Sequence, residues 1–420
     1  MKKMMYTIAV MAWGWNVQAQ PDSLSLAGCY LKAEANYPLI AEQGLIASTA
    51  GYTIENARKG LLPQINLYGQ ASYQSEVTGF PISIPGVEIP TISKDQYKLY
   101  GEVTQVLYDG GAVVGQTKLA EAKAKQEQAD IRTKLYQLRR SVNELYFGIL
   151  LIDNCLLVND LRRKDLQRGL EQVQGAIAEG AALRSHADVF RAELIQLEQN
   201  AMEQRTMRGA YLQMLAHYIG EELQEQVVLQ TPPPVSFIAG QVTRPELDGI
   251  EATKDVIAAE GRLLLVKSRP KAQLFAQGGY GRPALNFLKN DFSFYGIGGL
   301  RVSWPIAAGY TLKGERQILR NKLASLEVQR ELFLFRTHQS LLQQEGERSK
   351  WLSLLASDQE LITLRESVKD VSASQLANGV KLPSDYVRDL NAEGVARENY
   401  QYHQIQFLLN GYNHQATLGQ

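Results

Sequence analysis

The sequence predicts a mixed α+β fold built from two tandem repeats. Each repeat runs helix, strand, loop, strand, very long helix, turn, long helix. Three observations predict this. Segments about 200 residues apart resemble one another. Four short runs alternate in polarity with a period of two. Two long proline-free stretches carry apolar residues at three- and four-residue spacing.

The repeat is visible in three places. PQINLYGQASY (63–73) aligns without a gap to PKAQLFAQGGY (270–280), so that Leu67, Tyr68, Gln70 and Tyr73 face Leu274, Phe275, Gln277 and Tyr280. VTQVLYDGG (103–111) faces VSWPIAAGY (302–310), and EGAALRSHADV (179–189) faces NGVKLPSDYV (378–387). The seam is QTPPPVSFIAGQVTRPE (230–246), whose prolines cannot continue a helix. The expected division is 20–230 for the first repeat, 231–245 for a linker and 246–420 for the second.

Strands are expected at about 64–73, 97–107, 272–280 and 294–304. In the first, Ile65, Leu67, Gly69, Ala71 and Tyr73 lie on one face, and Gln64, Asn66, Tyr68, Gln70 and Ser72 on the other. One polar face and period two describe a half-buried strand. Runs of about ten residues have the length a tilted strand needs to cross a bilayer.

Ile131, Leu135, Leu138, Val142, Leu145 and Ile149 form a heptad seam of the left-handed coiled-coil kind. It lies in a proline-free stretch from about Ala112 to Ile177, on the order of 100 Å long as a helix. A matching stretch spans about Leu312 to Ala377, where Leu319, Leu323 and Leu326 begin a less regular seam. Gly180 with Ser185 and Asp188, and Gly379 with Pro383, Ser384 and Asp385, mark hairpin tips. Ser185 and Asp188 resemble a capping box. The returning helices are expected to end near Ile219 and Leu409.

The N-terminus reads as a secretory signal over 1–19. Lys2 and Lys3 precede an apolar run from Met4 to Val17, and Val17-Gln18-Ala19 offers a cleavage site. Leu26-Ala27-Gly28-Cys29 spells a lipobox, yet a polar break at Gln20, Pro21, Asp22 and Ser23 separates it from the apolar run. The helical spacing of Leu26, Tyr30 and Ala33 makes Cys29 an ordinary helix residue. After the signal there is no unbroken apolar run of about 18 residues. Basic and acidic residues balance at 44 each, which leaves no field to hold nucleic acid. Cys29 and Cys155 make no disulfide framework, and the five histidines show no ligand spacing. No metal, cofactor or catalytic constellation is expected, and the chain does not read as an enzyme.

Four strands cannot close a membrane barrel, and open edges are not tolerated in hydrocarbon. Strands that cross a membrane must therefore be shared among copies, and three copies would supply a closed ring of twelve. The expected fold is thus a mixed α+β membrane protein. Four transmembrane strands per protomer join a trimeric 12-stranded barrel, continued by a long helical coiled-coil barrel.

The duplicated plan resembles the TolC-like outer membrane factor family. The resemblance rests on LSLAGCYLKAEANYP as the opening helix and LLPQINLYG leading into the first strand. It rests also on QVLYDGG and SWPIAAG at the strand-to-helix corners and on NGVKLPSDYVRDLNAE at the second tip. It implies a homotrimeric outer membrane duct with a periplasmic helical tunnel. Such a duct docks onto a periplasmic adaptor and an inner-membrane pump, sits in outer membrane lipid, and exports small toxic compounds or proteins. The resemblance also implies a periplasmic gate of converging tips lined by acids. Asp385 stands where the family carries such an aspartate; Arg388 stands at a second acidic position, with Asp389 following. Lys381 occupies the place of a basic latch residue, and Leu376 that of a latching tyrosine. Asp188 is the acid of the first tip, two residues out of the expected register. The competing expectation is a periplasmic or surface coiled-coil protein with a small β domain.

Overall fold

A computed structural model describes residues 23–78, 91–237, 240–286 and 288–420. The signal and its cleavage site lie outside the described residues, as does most of the loop expected at 74–96. In chain order the elements are β1 (Ser23–Leu24), α1 (Leu26–Asn36), α2 (Leu39–Lys59), β2 (Gln64–Tyr73), β3 (Asp95–Tyr108), α3 (Ala112–Ala178) and α4 (Arg184–Ile219). They continue as β4 (Val228–Leu229), α5 (Pro245–Val266), β5 (Lys271–Arg282), β6 (Ser293–Ser303), α6 (Gly309–Ala377) and α7 (Pro383–Leu418). The chain forms two compact units, one of residues up to Tyr37, Leu135–Val242 and His338–Gln420, the other of Pro38–Lys134 and Thr243–Thr337.

The second unit holds an antiparallel four-stranded sheet in the order β2-β3-β5-β6. Period two places Ile65 beside Val103, Val103 beside Ala276 and Ala276 beside Gly298, so the apolar faces of all four strands are one surface. The half-buried strand expected from that pattern is not what one chain makes. Ile65, Leu67, Leu99, Leu300 and Val302 are exposed, because nothing in the protomer covers them. β2 and β6 end the sheet with no strand beyond either among the described residues. Asp109 caps α3, its carboxylate accepting from the N–H groups of Gly111 and Val113 at 2.7 Å each.

The first unit is helical. Here Leu135, Leu138, Val142, Leu145 and Ile149 of the heptad seam are buried, as is Ile131 in the second unit. Val142, Leu145, Tyr146 and Ile149 pack with Leu26, Cys29 and Ala33 of α1, Leu212 and Leu215 of α4, and Ile405 and Leu408 of α7. An 18-residue window of α3 is apolar enough by composition to cross a membrane, and half of it is buried in the protein. Ser25 caps α1 by accepting from Gly28 N–H at 3.2 Å. Cys29 is fully buried inside that helix, and burial pushes its thiol up to about 12. Tyr30 donates to Asn143. The two-residue strands β1 and β4 pair in parallel, and the Tyr146 hydroxyl reaches the carbonyls of Leu24 and Gln230 at 2.7 Å each.

Both hairpins turn in the same way. Gly180 and Gly379 take φ of 76° and 66°, a region that glycine enters without a Cβ clash. Ala181 N–H reaches Ala176 O at 2.8 Å, and Val380 N–H reaches Gln375 O at 2.9 Å, which closes a Schellman turn at each tip. The expected capping box does not form. Leu183 and Leu382 are the N-caps, without side-chain hydrogen bonds, and Ser185 and Asp188 lie inside the helix. α7 also runs past Leu409 to Leu418, since Ile405, Leu408, Gly411, His414 and Leu418 keep one buried stripe until Gly419 ends the helix.

Tyr146→Phe removes the one hydroxyl proton available to the Leu24 and Gln230 carbonyls and leaves Leu24 O with the Gln230 N–H alone. The expected cost is about 1 kcal/mol in denaturant unfolding of the solubilised protein. Hydrogen exchange should quicken at the Gln230 amide, which bonds Leu24 O; an unchanged amide would remove Tyr146 from this role.

Candidate functional site at the hairpin tips

The second tip is built around a buried polar cluster. Ser372, near the end of α6, is 1 % exposed and donates to the Asp389 carboxylate at 2.6 Å. Lys381, in the turn, donates to Ser372 Oγ at 2.6 Å and forms an ion pair with Asp389. The cluster lies within one hairpin. Lys381, expected from the resemblance as a latch, thus has its ammonium held by its own turn. Burial alone would raise the Asp389 carboxyl, but the bonds from Lys381 and Ser372 hold it below the usual carboxylate range.

Asp385 sits in the first turn of α7, where the helix dipole favours a carboxylate. It is half-buried and pairs with Arg388 at 3.2 Å. Asp385 and Asp389 therefore each carry a basic partner. Asp188 stands apart from the cluster, exposed on α4 and paired with Arg191 at 3.0 Å.

The first tip has the same backbone and different chemistry. Counted from the turn glycine, Val173, Ala182 and Phe190 stand where Ser372, Lys381 and Asp389 stand in the second. Phe190 is fully buried with Leu166 and Leu390, its ring 6.1 Å from that of Tyr386. Leu376, in the place of a latching tyrosine, packs against this same core.

The two hairpins are fastened above that core. Arg162 of α3 is nearly buried and donates to Asn391 at 2.8 Å and Glu398 at 3.2 Å, both on α7. Asn391 in turn donates to Glu193 of α4 at 2.6 Å. Gly394 makes room for the arginine, because a Cβ there would sit 2.4 Å from Arg162 Cδ. Lys369 of α6 pairs with Asp165 of α3 at 3.2 Å. None of these fasteners is visible as a sequence motif. Ser372 had one available signal: it and Asp389 stand at nearly equal distance on either side of the turn between Ala377 and Pro383.

The sheet is the other functional surface. On its apolar face the charged strand residues are Asp95 and Arg282, ion-paired at the loop end. Aromatics flank this face: Tyr73, Tyr97, Tyr280 and Phe294 at the loop end, Tyr108, Trp304 and Tyr310 toward the helices, all exposed. Phe294 to Trp304 spans about 25 Å along the normal for a strand tilted about 40°.

Residues 30–221 match the sequence model for the outer membrane efflux protein family. No curated protein matches the chain by sequence. Among solved structures, the outer membrane protein VceC of Vibrio cholerae superposes with a TM-score of 0.66 at 12 % identity, over 94 % of this chain and 96 % of its own. The Campylobacter jejuni CmeC channel gives 0.66 at 12 %, covering 100 % and 93 %. The Neisseria gonorrhoeae MtrE channel, solved open, gives 0.67 at 14 %, covering 94 % and 88 %. At such identities the likeness carries the fold, and the family match covers just under half of the chain. Residues 30–221 thus resemble the outer membrane efflux protein family, and the chain as a whole has the fold of these outer membrane channel structures.

Lys381→Met removes the nearer of the two cations beside Asp389, leaving Arg388 at 3.9 Å, and should loosen the second tip, read as faster hydrogen exchange in the first turns of α7. The wild-type carboxylate is held below its ordinary 3.8, so its pairing stabilises the tip above pH 3.8 and is lost as pH falls below that value. In the variant this acid-side step should shrink, with Ser372 and Arg388 still holding the carboxylate; an undiminished step would show that Lys381 is not its cause.

Proposed function

We propose that three copies of this chain form the outer membrane exit duct of a tripartite efflux or type I secretion system. The duct passively exports small toxic compounds or proteins. The observation that carries the reading is the sheet. One face is apolar, uncovered and flanked by aromatics, and both edges lack partners among the described residues. Lipid covers such a face, and copies of the same sheet complete its edges into twelve strands.

The helices support the same assembly. α6 leaves Val328, Leu332, Phe335 and Leu342 exposed at heptad spacing, then Leu361, Leu364, Val368 and Val371. Neighbouring protomers would cover this seam, and a periplasmic adaptor with an inner-membrane pump would meet the tips. In this reading the second hairpin is the gate element. Asp385 lines the constriction, while Lys381 and Asp389 hold the tip's shape and Asp188 stays on the solvated side of the first tip.

Leu300→Arg puts a cation on the apolar face and should oppose insertion by roughly 2–4 kcal/mol, measured as folding into lipid vesicles. Ile297→Arg, on the opposite face, should insert as wild type. Equal behaviour of the two would defeat the lipid-facing assignment.

Asp385→Ala should change conductance and divalent-cation block of the reconstituted pore by removing a carboxylate ring. Conductance and block identical to wild type would take Asp385 out of the constriction.

A further inference from the structure

The polar face of the sheet has a charge pattern and an aromatic rung that the duct reading does not itself require. Its strand residues include three cations, Lys98, Lys271 and Arg301, against one carboxylate, Glu102. That carboxylate is buried, accepts from Gln277, and has Arg301 at 3.8 Å. Arg301 also lies over the Phe275 ring at 4.6 Å. The single anion is thus already engaged, and the face is left positive.

One rung of the same face is aromatic. Tyr68 pairs with Tyr100, Tyr100 with Gly279, and Gly279 with Tyr295. The rings of Tyr68 and Tyr100 stack with centroids 5.1 Å apart. Gly279 is the gap that lets Tyr100 lie flat, since a Cβ there would fall 2.4 Å from the Tyr100 Cβ. Lys98 belongs to the next rung toward the loops, about 7 Å along the strand.

We infer that this face is an anion-favouring stretch of the lumen whose tyrosine rung selects planar aromatic anions in transit. The inference rests on the duct reading, which turns the polar face inward. Threefold repetition then places nine cations against three carboxylates around a low-dielectric wall, and a lining of one sign concentrates solutes of the other. Tyrosine rings offer stacking faces to flat solutes, and the flanking cations fix the sign of the solute's charge.

The test is single-pore recording of the reconstituted trimer in a salt gradient, with naphthalenesulfonate as probe and a naphthyl trimethylammonium ion as its cationic counterpart. Wild-type pores should prefer chloride and be blocked by naphthalenesulfonate added from the β-barrel side, and the cation should block far less. Lys98→Glu should move the reversal potential toward cation preference. Tyr68→Leu and Tyr295→Leu should raise the half-blocking sulfonate concentration about tenfold with the reversal potential unchanged. Conducting pores whose reversal potential ignores Lys98→Glu, or whose block ignores both tyrosine changes, would overturn this inference and leave the duct standing. Inserted trimers that never conduct would overturn the duct, and this inference with it.

Discussion

A strand at the edge of a sheet carries a row of N–H and C=O groups that must find partners, and the sheet of this chain has two such edges. Its outer face is apolar and nothing in the protomer covers it. In water such a surface would aggregate; in hydrocarbon the unpaired edges would cost several kcal/mol for each group. Both demands are met when copies join edge to edge with their apolar faces outward. The rest of the chain is consistent with that arrangement. The long helices leave an exposed heptad seam on α6, whereas the corresponding seam on α3 is already buried.

The repeat shows how one backbone serves two purposes. The hairpin tips share turn glycines, Schellman hydrogen bonds and uncapped leucine N-caps. Side chains at matching positions differ completely: Val173, Ala182 and Phe190 in the first, Ser372, Lys381 and Asp389 in the second. An apolar tip resists nothing but loss of packing. A tip closed by a buried ion pair responds also to pH and to the loss of either partner, because one charge left alone in a half-closed site is expensive. The chemistry that can be switched is therefore concentrated in the second hairpin.

What was legible in the sequence was what repeats locally. Alternation at 64–73 and 272–280 and the seam from Ile131 to Ile149 express the periods of strand and helix, and strands and a buried helix face stand there. The aspartates and Lys381 could be named only through the family resemblance, counted from the turn glycines. Hidden from view were contacts fixed by packing between distant segments: Arg162 seated on Gly394, Asn391 bridging to Glu193, Ser372 beneath Lys381. No local period marks such pairs. The capping box at Ser185 misled for a related reason. A Ser-x-x-Asp spacing is a local signal, and the Schellman turn at Gly180 had already set the helix start two residues earlier.

The charges along the chain then divide by place. At the second tip Asp385 is balanced by Arg388 and Asp389 by Lys381. A ring built from this tip is near neutral while its pairs are closed and becomes acidic only where a pair opens. On the polar face of the sheet the balance is fixed by strand register, with Glu102 held between Gln277 and Arg301. In the proposed duct these would act as two different filters in series, a constriction with latent negative charge and a positive lumen. Selectivity measured across the whole duct would follow whichever is narrower. A pore that conducts would have its tips apart, so there the barrel would be that filter and the sheet register would set what passes.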